Sequence, residues 1–176
     1  APFRTGKADF FDNRLIFGDN LLALKALEQE FAGKVKCIYI DPPYNTGSAF
    51  THYDAGVEHS LWLSLMRDRL ELLQRLLANE AVIFVQIDDR EFAYLKVVMD
   101  EIFRRRNFLG AIVWQKRISP DPDSGFISGT HDYIFCYAKE VEKCQFNRLE
   151  RTEMQDARYE NSDNDPRGPW TSSDLT

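Results

Sequence analysis

Val35-Lys36-Cys37-Ile38-Tyr39-Ile40 is a short, β-rich, largely apolar run, and it ends abruptly on Asp41-Pro42-Pro43-Tyr44. Bounded by turn signals, such a run reads as a buried strand. Consecutive prolines fix φ at about −65° and have no N–H to give, so the next segment suits neither a helix interior nor a central strand. Asp41 to Gly47 is therefore a stiffened loop at the carboxyl end of a strand. In an open α/β sheet, ligands bind at that end.

Around this loop the chain alternates. Leu15-Ile16-Phe17, stopping at Gly18-Asp19, reads as a strand ending in a turn. Asn20 then caps a helix to about Glu30, with Leu21, Leu24 and Leu27 on one face. Leu61, Leu65, Leu72, Leu73, Leu76 and Leu77, with Trp62 and Met66, predict a long amphipathic helix from Glu58 to Asn79. Ala81 to Ile87 reads as a strand. Asp88 and Glu91 have capping-box spacing ahead of a helix that runs to about Arg104. Phe108 to Trp114 and Tyr133 to Tyr137 predict two more strands. Between them, Lys116 to Thr130 is rich in Pro, Gly, Ser and Asp and reads as a mobile loop. Beyond Lys139 the pattern fades, and Asn161 to Thr176 is polar and irregular. The order predicts an α/β sandwich, parallel at first, with an antiparallel pair at the end.

The 176 residues are 44% hydrophobic and 13% aromatic, which supplies a core and excludes disorder throughout. No apolar run reaches about 18 residues, so no membrane span is expected. Ala1 to Phe11 carries Arg4, Lys7 and Asp9 and lacks the apolar stretch of a signal peptide. Cys37, Cys136 and Cys144 have no paired spacing, which points to a reducing cytoplasm. Cys37 and Cys136, within apolar strands, read as inert core thiols. His52, His59 and His131 share no metal-ligand spacing, so no metal site is expected. The net charge of −6 argues against a dedicated nucleic-acid-coating protein and leaves room for a local basic face.

The loop itself suits a flat, amino-bearing ligand. The Asp41 carboxylate can accept one hydrogen bond from an exocyclic amine. The Pro42 carbonyl can accept the other, because the next residue has no N–H to compete for it. Tyr44 can stack on a base, a contact worth about 1–3 kcal/mol. The plain alternative is a proline-rich turn.

Its neighbours make the motif more specific. Asp41-Pro42-Pro43-Tyr44-Asn45-Thr46-Gly47 resembles the catalytic motif of amino-group DNA methyltransferases, in the acidic form of adenine-N6 enzymes. Enzymes acting on cytosine N4 usually carry Ser in place of the acid. Leu15 to Leu24 resembles the strand-turn-helix before this loop, and Trp62 to Leu70 the helix after it. Ile83 to Glu91, Asp100 to Phe103 and Asn107-Phe108 resemble the next strand and helix. His131 to Lys139 resembles the late strand, where Glu is commoner than Asp132. Asp163 to Trp170 resembles the entry to the target-recognition region. Together they are similar to the β-group adenine-N6 DNA methyltransferases, particularly the modification subunits of type III restriction systems and their solitary relatives.

The resemblance implies an α/β fold, a partial Rossmann-like sheet of the S-adenosylmethionine-dependent methyltransferases with a late antiparallel strand pair. It implies that Asp41, Pro42, Pro43 and Tyr44 are catalytic and grip a flipped-out adenine, since a stacked base cannot present its amino group to a loop. Asp19 and Asp41 would contact the cofactor, S-adenosylmethionine, and Tyr44, Asn45, Phe50, Lys116 and Arg117 the substrate. Transfer would be direct, with no nucleophilic cysteine. The implied partners are double-stranded DNA and the remaining half of the same enzyme, with room for a homodimer and a restriction subunit, and no membrane.

One family feature is missing. Gly6, Gly18, Gly33, Gly47, Gly56, Gly110, Gly125, Gly129 and Gly168 include no Gly-x-Gly pair, whereas the family's cofactor loop is Phe-x-Gly-x-Gly. In the β-group that loop follows the recognition region. The expectation is an N-terminal portion, with residues 1–145 in the catalytic domain and 146–176 at the irregular start of target recognition. Alone, it would leave strand edges open, bind the cofactor weakly and not methylate. An RNA or protein amino-group methyltransferase with a similar loop, and an inactive remnant that binds DNA or a partner, stay open as other readings. Arg104-Arg105-Arg106 can contact phosphates or simply complement a helix C-terminus. Phe50 and Tyr53 can line the base pocket or pack under the loop. Asp88 and Asp89 read as helix caps ahead of catalytic acids.

Overall fold

The computed structural model describes residues 13–45, 55–119, 127–147 and 149–172. In order these form α1 (Asn20–Phe31), β1 (Val35–Ile40), α2 (Ala55–Leu76), β2 (Leu77–Ile87), α3 (Phe92–Phe103), a 3-10 turn (Arg105–Asn107), β3 (Phe108–Gln115), β4 (His131–Ala138) and α4 (Glu153–Asp156). The strands make one sheet in the order β1-β2-β4-β3. β1 and β2 are parallel, joined through α2, and β4 runs antiparallel to both β2 and β3.

The core follows the sequence periods. Along β2, Ala81, Ile83, Val85 and Ile87 are buried in strict alternation. The face of α2 carrying Trp62, Met66, Leu70, Leu73 and Leu76 joins them, as do Leu95, Val98, Met99 and Phe103 of α3. Phe135 and Tyr137 of β4 complete the cluster. Truncating a fully buried residue such as Ile83 or Leu95 to Ala would cost about 2–5 kcal/mol. α1 contributes no buried side chain and leans on the core through the partly buried Leu24 and Phe31.

The chain divides into two compact units, Ala1–Cys144 and Gln145–Thr176. Within the second, Glu160 and Trp170 form an isolated antiparallel bridge, and the Trp170 indole donates to Asp163 at 2.9 Å. Among the described residues no helix is long and apolar enough to cross a membrane.

Several expectations are corrected. Leu15–Phe17 is no strand: Leu15 and Phe17 are fully exposed, and the sheet of described strands ends at β1 without pairing to them. Apolar residues alone do not make a strand, because the backbone also needs a ladder partner. Asp19, not Asn20, caps α1, accepting from the amides of Leu21 and Leu22 at 2.9 and 3.2 Å. β2 starts at Leu77 rather than Ala81, because Leu77 already pairs with Val35. The capping box at Asp88 does not form: the helix starts at Phe92, and Glu91 makes no side-chain cap bond. Cys37 is exposed, on a face of β1 left uncovered among the described residues, whereas Cys136 is buried and burial pushes its thiol up to about 11. Residues 120–126 of the Lys116–Thr130 segment lie outside the described residues. At its ends, the amides of Lys116 and Arg117 both donate to the Thr130 carbonyl.

Candidate active site

β1 delivers Asp41 to Asn45 at the carboxyl end of the parallel pair, and the loop is fixed at three successive residues. The Trp62 indole of α2 donates to the Pro43 carbonyl at 2.7 Å. The Tyr44 hydroxyl donates to Asp132 at 3.4 Å. The Asn45 side-chain Nδ2 donates to the Glu91 carboxylate at 2.8 Å. Asn45 itself has a φ of 55°, a left-handed conformation that Asn tolerates better than most residues. Among the described residues, no group donates to the Pro42 carbonyl.

Asp132 is the hub behind Tyr44. It is buried on β4, and its carboxylate accepts from Lys116 at 2.7 Å and from Gln86 at 3.2 Å besides Tyr44. The Tyr39 hydroxyl donates to the Gln86 side-chain Oε1, extending the network along the sheet. Burial, a hydrogen bond with Asp41 and the nearby Asp132 charge push the Tyr44 hydroxyl far above its ordinary pKa, so it stays a donor. A buried carboxylate with a cation and two neutral donors is a satisfied one.

The loop stands between two cavities. One, of about 470 Å³, is lined by Asp41, Pro42 and Pro43, by Asn20 and Leu24 of α1, and by a face of α2 that includes Trp62 and Arg69. Arg69 donates to the Asn20 side chain at 2.7 Å. The cavity therefore pairs apolar walls with one carboxylate, one guanidinium and one amide. The other, of about 400 Å³, is lined by Tyr44, Asp88, Asp89, Arg90, Lys116, Arg117 and Gly129. It is polar and carries both signs of charge.

Of the residues singled out from sequence, Asp41, Pro42 and Pro43 border the first cavity, and Tyr44, Lys116 and Arg117 share the second. Asn45 borders neither and turns toward Glu91. Asp19 caps α1, while its neighbour Asn20 lines the first cavity. Phe50 and Tyr53 lie outside the described residues. Arg104 to Arg106 precede β3, at the opposite end of the strands from the loop. His131 bonds locally to Tyr133 at 2.9 Å. No three metal-ligating groups cluster among the described residues.

Asn20, Arg69, Gln86, Asp132 and Glu91 also belong to the site, though no local motif marks them for it. Trp62, Leu65, Met66, Arg69 and Leu73 recur at helical spacing, and that period was the signal from which the α2 lining could have been found. The partners of Tyr44 and Asn45 carry no such signal, because they lie 88 and 46 positions away.

Comparison with known proteins gives a consistent picture. The N6/N4 methyltransferase family model, described as DNA methylase, matches residues 35–174. The HindVI Mod subunit of Haemophilus influenzae is 42% identical over 157 residues, 86% of this chain and 21% of that protein. The type III restriction-modification enzyme StyLTI Mod subunit of Salmonella typhimurium is 35% identical over 195 residues, 93% of this chain and 30% of that protein. The chain thus spans between 21% and 30% of the length of these two relatives. Among solved structures, PvuII DNA methyltransferase (cytosine-N4-specific) superposes with a TM-score of 0.51 at 13% identity, over 70% of this chain and 48% of that one. The complex of M1.HpyAVI with SAM gives 0.51 at 17% identity, over 78% and 60%. At such identities these two matches speak for the fold.

Proposed function

The chain belongs to the N6/N4 DNA methylase family, and on that premise we propose that it forms the catalytic-loop portion of an adenine-N6 DNA methyltransferase in a restriction-modification system. The observation that carries the reading is the position of the loop between two cavities, with Asp41 on one and Tyr44 on the other.

In this reading the target adenine, extruded from the duplex, enters the polar cavity and stacks on Tyr44. Its amino group meets two acceptors, the Asp41 carboxylate and the Pro42 carbonyl. Holding both N–H groups draws the nitrogen lone pair out of conjugation with the ring and aims it across the loop. Asp41 is also the nearest base for the proton that leaves the amine. Lys116 and Arg117 line the same cavity and supply positive charge for flanking phosphates. The acid at position 41, in place of Ser, supports adenine as the base.

The chemistry of the first cavity fits the methyl donor, S-adenosylmethionine. Asp41 offers a negative charge to a sulfonium, Arg69 a positive charge to a carboxylate, and the apolar walls a surface for the rest. A volume of about 470 Å³ suits a ligand of that size. When bound, the group supplies an electrophilic methyl on a positively charged sulfur. The chain's residues supply position and field, which carry most of the acceleration in such transfers.

Double-stranded DNA is the substrate in this reading, with a restriction subunit and a second copy as partners and the cytoplasm as the setting. The Mod-subunit relatives support the restriction partner. The test is nucleoside analysis of duplex DNA after incubation with the complete polypeptide and isotopically labelled S-adenosylmethionine. Label in N6-methyladenine is the expected result; label in N4-methylcytosine alone, or none in DNA, overturns the reading.

A further inference from the structure

Glu91 occupies the N-cap position of α3, where a Ser, Thr, Asp or Asn side chain ordinarily turns back to bond the first helix amides. It does not do so here. It is 4% exposed, and its carboxylate points away from the helix toward the catalytic loop. Oε1 accepts from the Asn45 amide at 2.8 Å and faces His59 Nδ1 at 3.0 Å, while Oε2 lies 2.9 Å from the same ring nitrogen. The His59 ring is held in turn by an edge contact with Tyr94, centroids 4.3 Å apart. A buried carboxylate is costly unless it is paired, and this one is paired with the loop instead of its own helix.

Asn45 immediately follows Tyr44 and has a φ of 55°. Left-handed backbone at a non-glycine residue persists where surrounding contacts hold it. The bond to Glu91 is such a contact, and it fixes the direction in which the chain leaves Tyr44. Asp132 holds Tyr44 at its hydroxyl; Glu91 holds the side chain of the residue that follows it.

We propose that Glu91 is a positioning residue for methyl transfer, locking Asn45 in the left-handed conformation that presents Tyr44 and the Asp41–Pro42 acceptors to the base. His59 orients the Glu91 carboxylate. This rests on the methyltransferase reading above. Glu91 touches neither base nor cofactor in it and acts through Asn45.

The test compares Glu91→Ala, Glu91→Gln, Asn45→Ala and the Glu91→Ala/Asn45→Ala double variant in the complete enzyme, by single-turnover methyl transfer, duplex binding and crystal structure. Glu91→Ala is expected to slow transfer about tenfold to a hundredfold, with the DNA Kd changed less than about twofold. Gln can accept from Asn45 and donate to His59, so Glu91→Gln restores most of the rate. The double variant is no slower than Asn45→Ala, since both remove one interaction. An unchanged rate in Glu91→Ala, failure of Glu91→Gln to restore it, or losses that multiply in the double variant, overturn the proposal. Should the parent transfer no methyl group to DNA, the methyltransferase reading fails. Glu91 is then judged on the Glu91→Ala crystal structure alone. Asn45 leaving the left-handed region upholds the clamp, and Asn45 remaining there refutes it.

Discussion

Replacing Lys116 with Met tests the hub behind Tyr44. The Lys116 ammonium meets the Asp132 carboxylate at 2.7 Å, and the two side chains differ sharply in exposure, 33% for Lys116 against 6% for Asp132. That asymmetry sets the outcome. Without Lys116, Asp132 keeps, among the described residues, only Gln86 and Tyr44 as donors, at 3.2 and 3.4 Å. A charge-assisted bond is lost and a buried charge is left short of its counter-ion, a cost of about 1.5–3 kcal/mol. The larger penalty of about 3–5 kcal/mol for breaking a fully buried pair does not apply, because water reaches the lysine side. Replacing Asp132 with Asn has the milder effect. Its carbonyl can still accept from Gln86 and Tyr44, and the freed ammonium can turn to solvent. The order predicted by urea unfolding is therefore Lys116→Met least stable, then the Lys116→Met/Asp132→Asn double variant, then Asp132→Asn nearest to the parent. Lys116→Met within about 0.5 kcal/mol of the parent, or a double variant no more stable than Lys116→Met, would refute the reasoning.

Asp41→Ala in the complete enzyme should abolish methyl transfer and leave duplex affinity largely intact by filter binding; retained transfer would remove Asp41 from its role. Tyr44→Phe should keep base stacking and lose the hydroxyl's interactions with Asp132 and Asp41, whereas Tyr44→Ala should also lose about 1–3 kcal/mol of base contact, read as weaker 2-aminopurine flipping. At Asp100, burial raises the carboxyl pKa, but hydrogen bonds from Lys96 and Tyr137 and the charges of Lys96 and Arg105 outweigh it, leaving it below its ordinary value. A depressed carboxylate pKa contributes stability that is present above the unfolded-state value and lost as pH falls through the folded one. Asp100→Asn should therefore flatten the fall in stability below about pH 4, and an unchanged acid limb in urea titrations from pH 5 to 2.5 would contradict this.

Local chemistry was easier to read in the sequence than distant pairing. β1 and its proline loop were legible because an apolar run and two prolines act within a few residues. The α2 face was legible because its period is that of a helix. Leu15–Phe17 misled for the opposite reason, since a strand needs a partner that its own residues cannot announce. Cys37 looked like a core thiol, but among the described residues nothing covers its face of β1. The Asp88–Glu91 spacing matched a capping box, yet Glu91 is engaged by Asn45 and His59 from other elements. In the site, the loop residues were readable one by one. The two buried carboxylates that hold Tyr44 and Asn45 emerged only once the sheet had brought β4 and α3 beside the loop.

In the proposed function, the Asp41–Tyr44 loop takes hold of an adenine amino group. A crystal structure of the complete enzyme with duplex DNA bearing its target tests it most directly. The expected structure shows an extruded adenine stacked on Tyr44, its amino nitrogen within about 3 Å of both the Asp41 carboxylate and the Pro42 carbonyl oxygen. A target base still stacked in the duplex, or extruded with its amino group turned away from those acceptors, would contradict it.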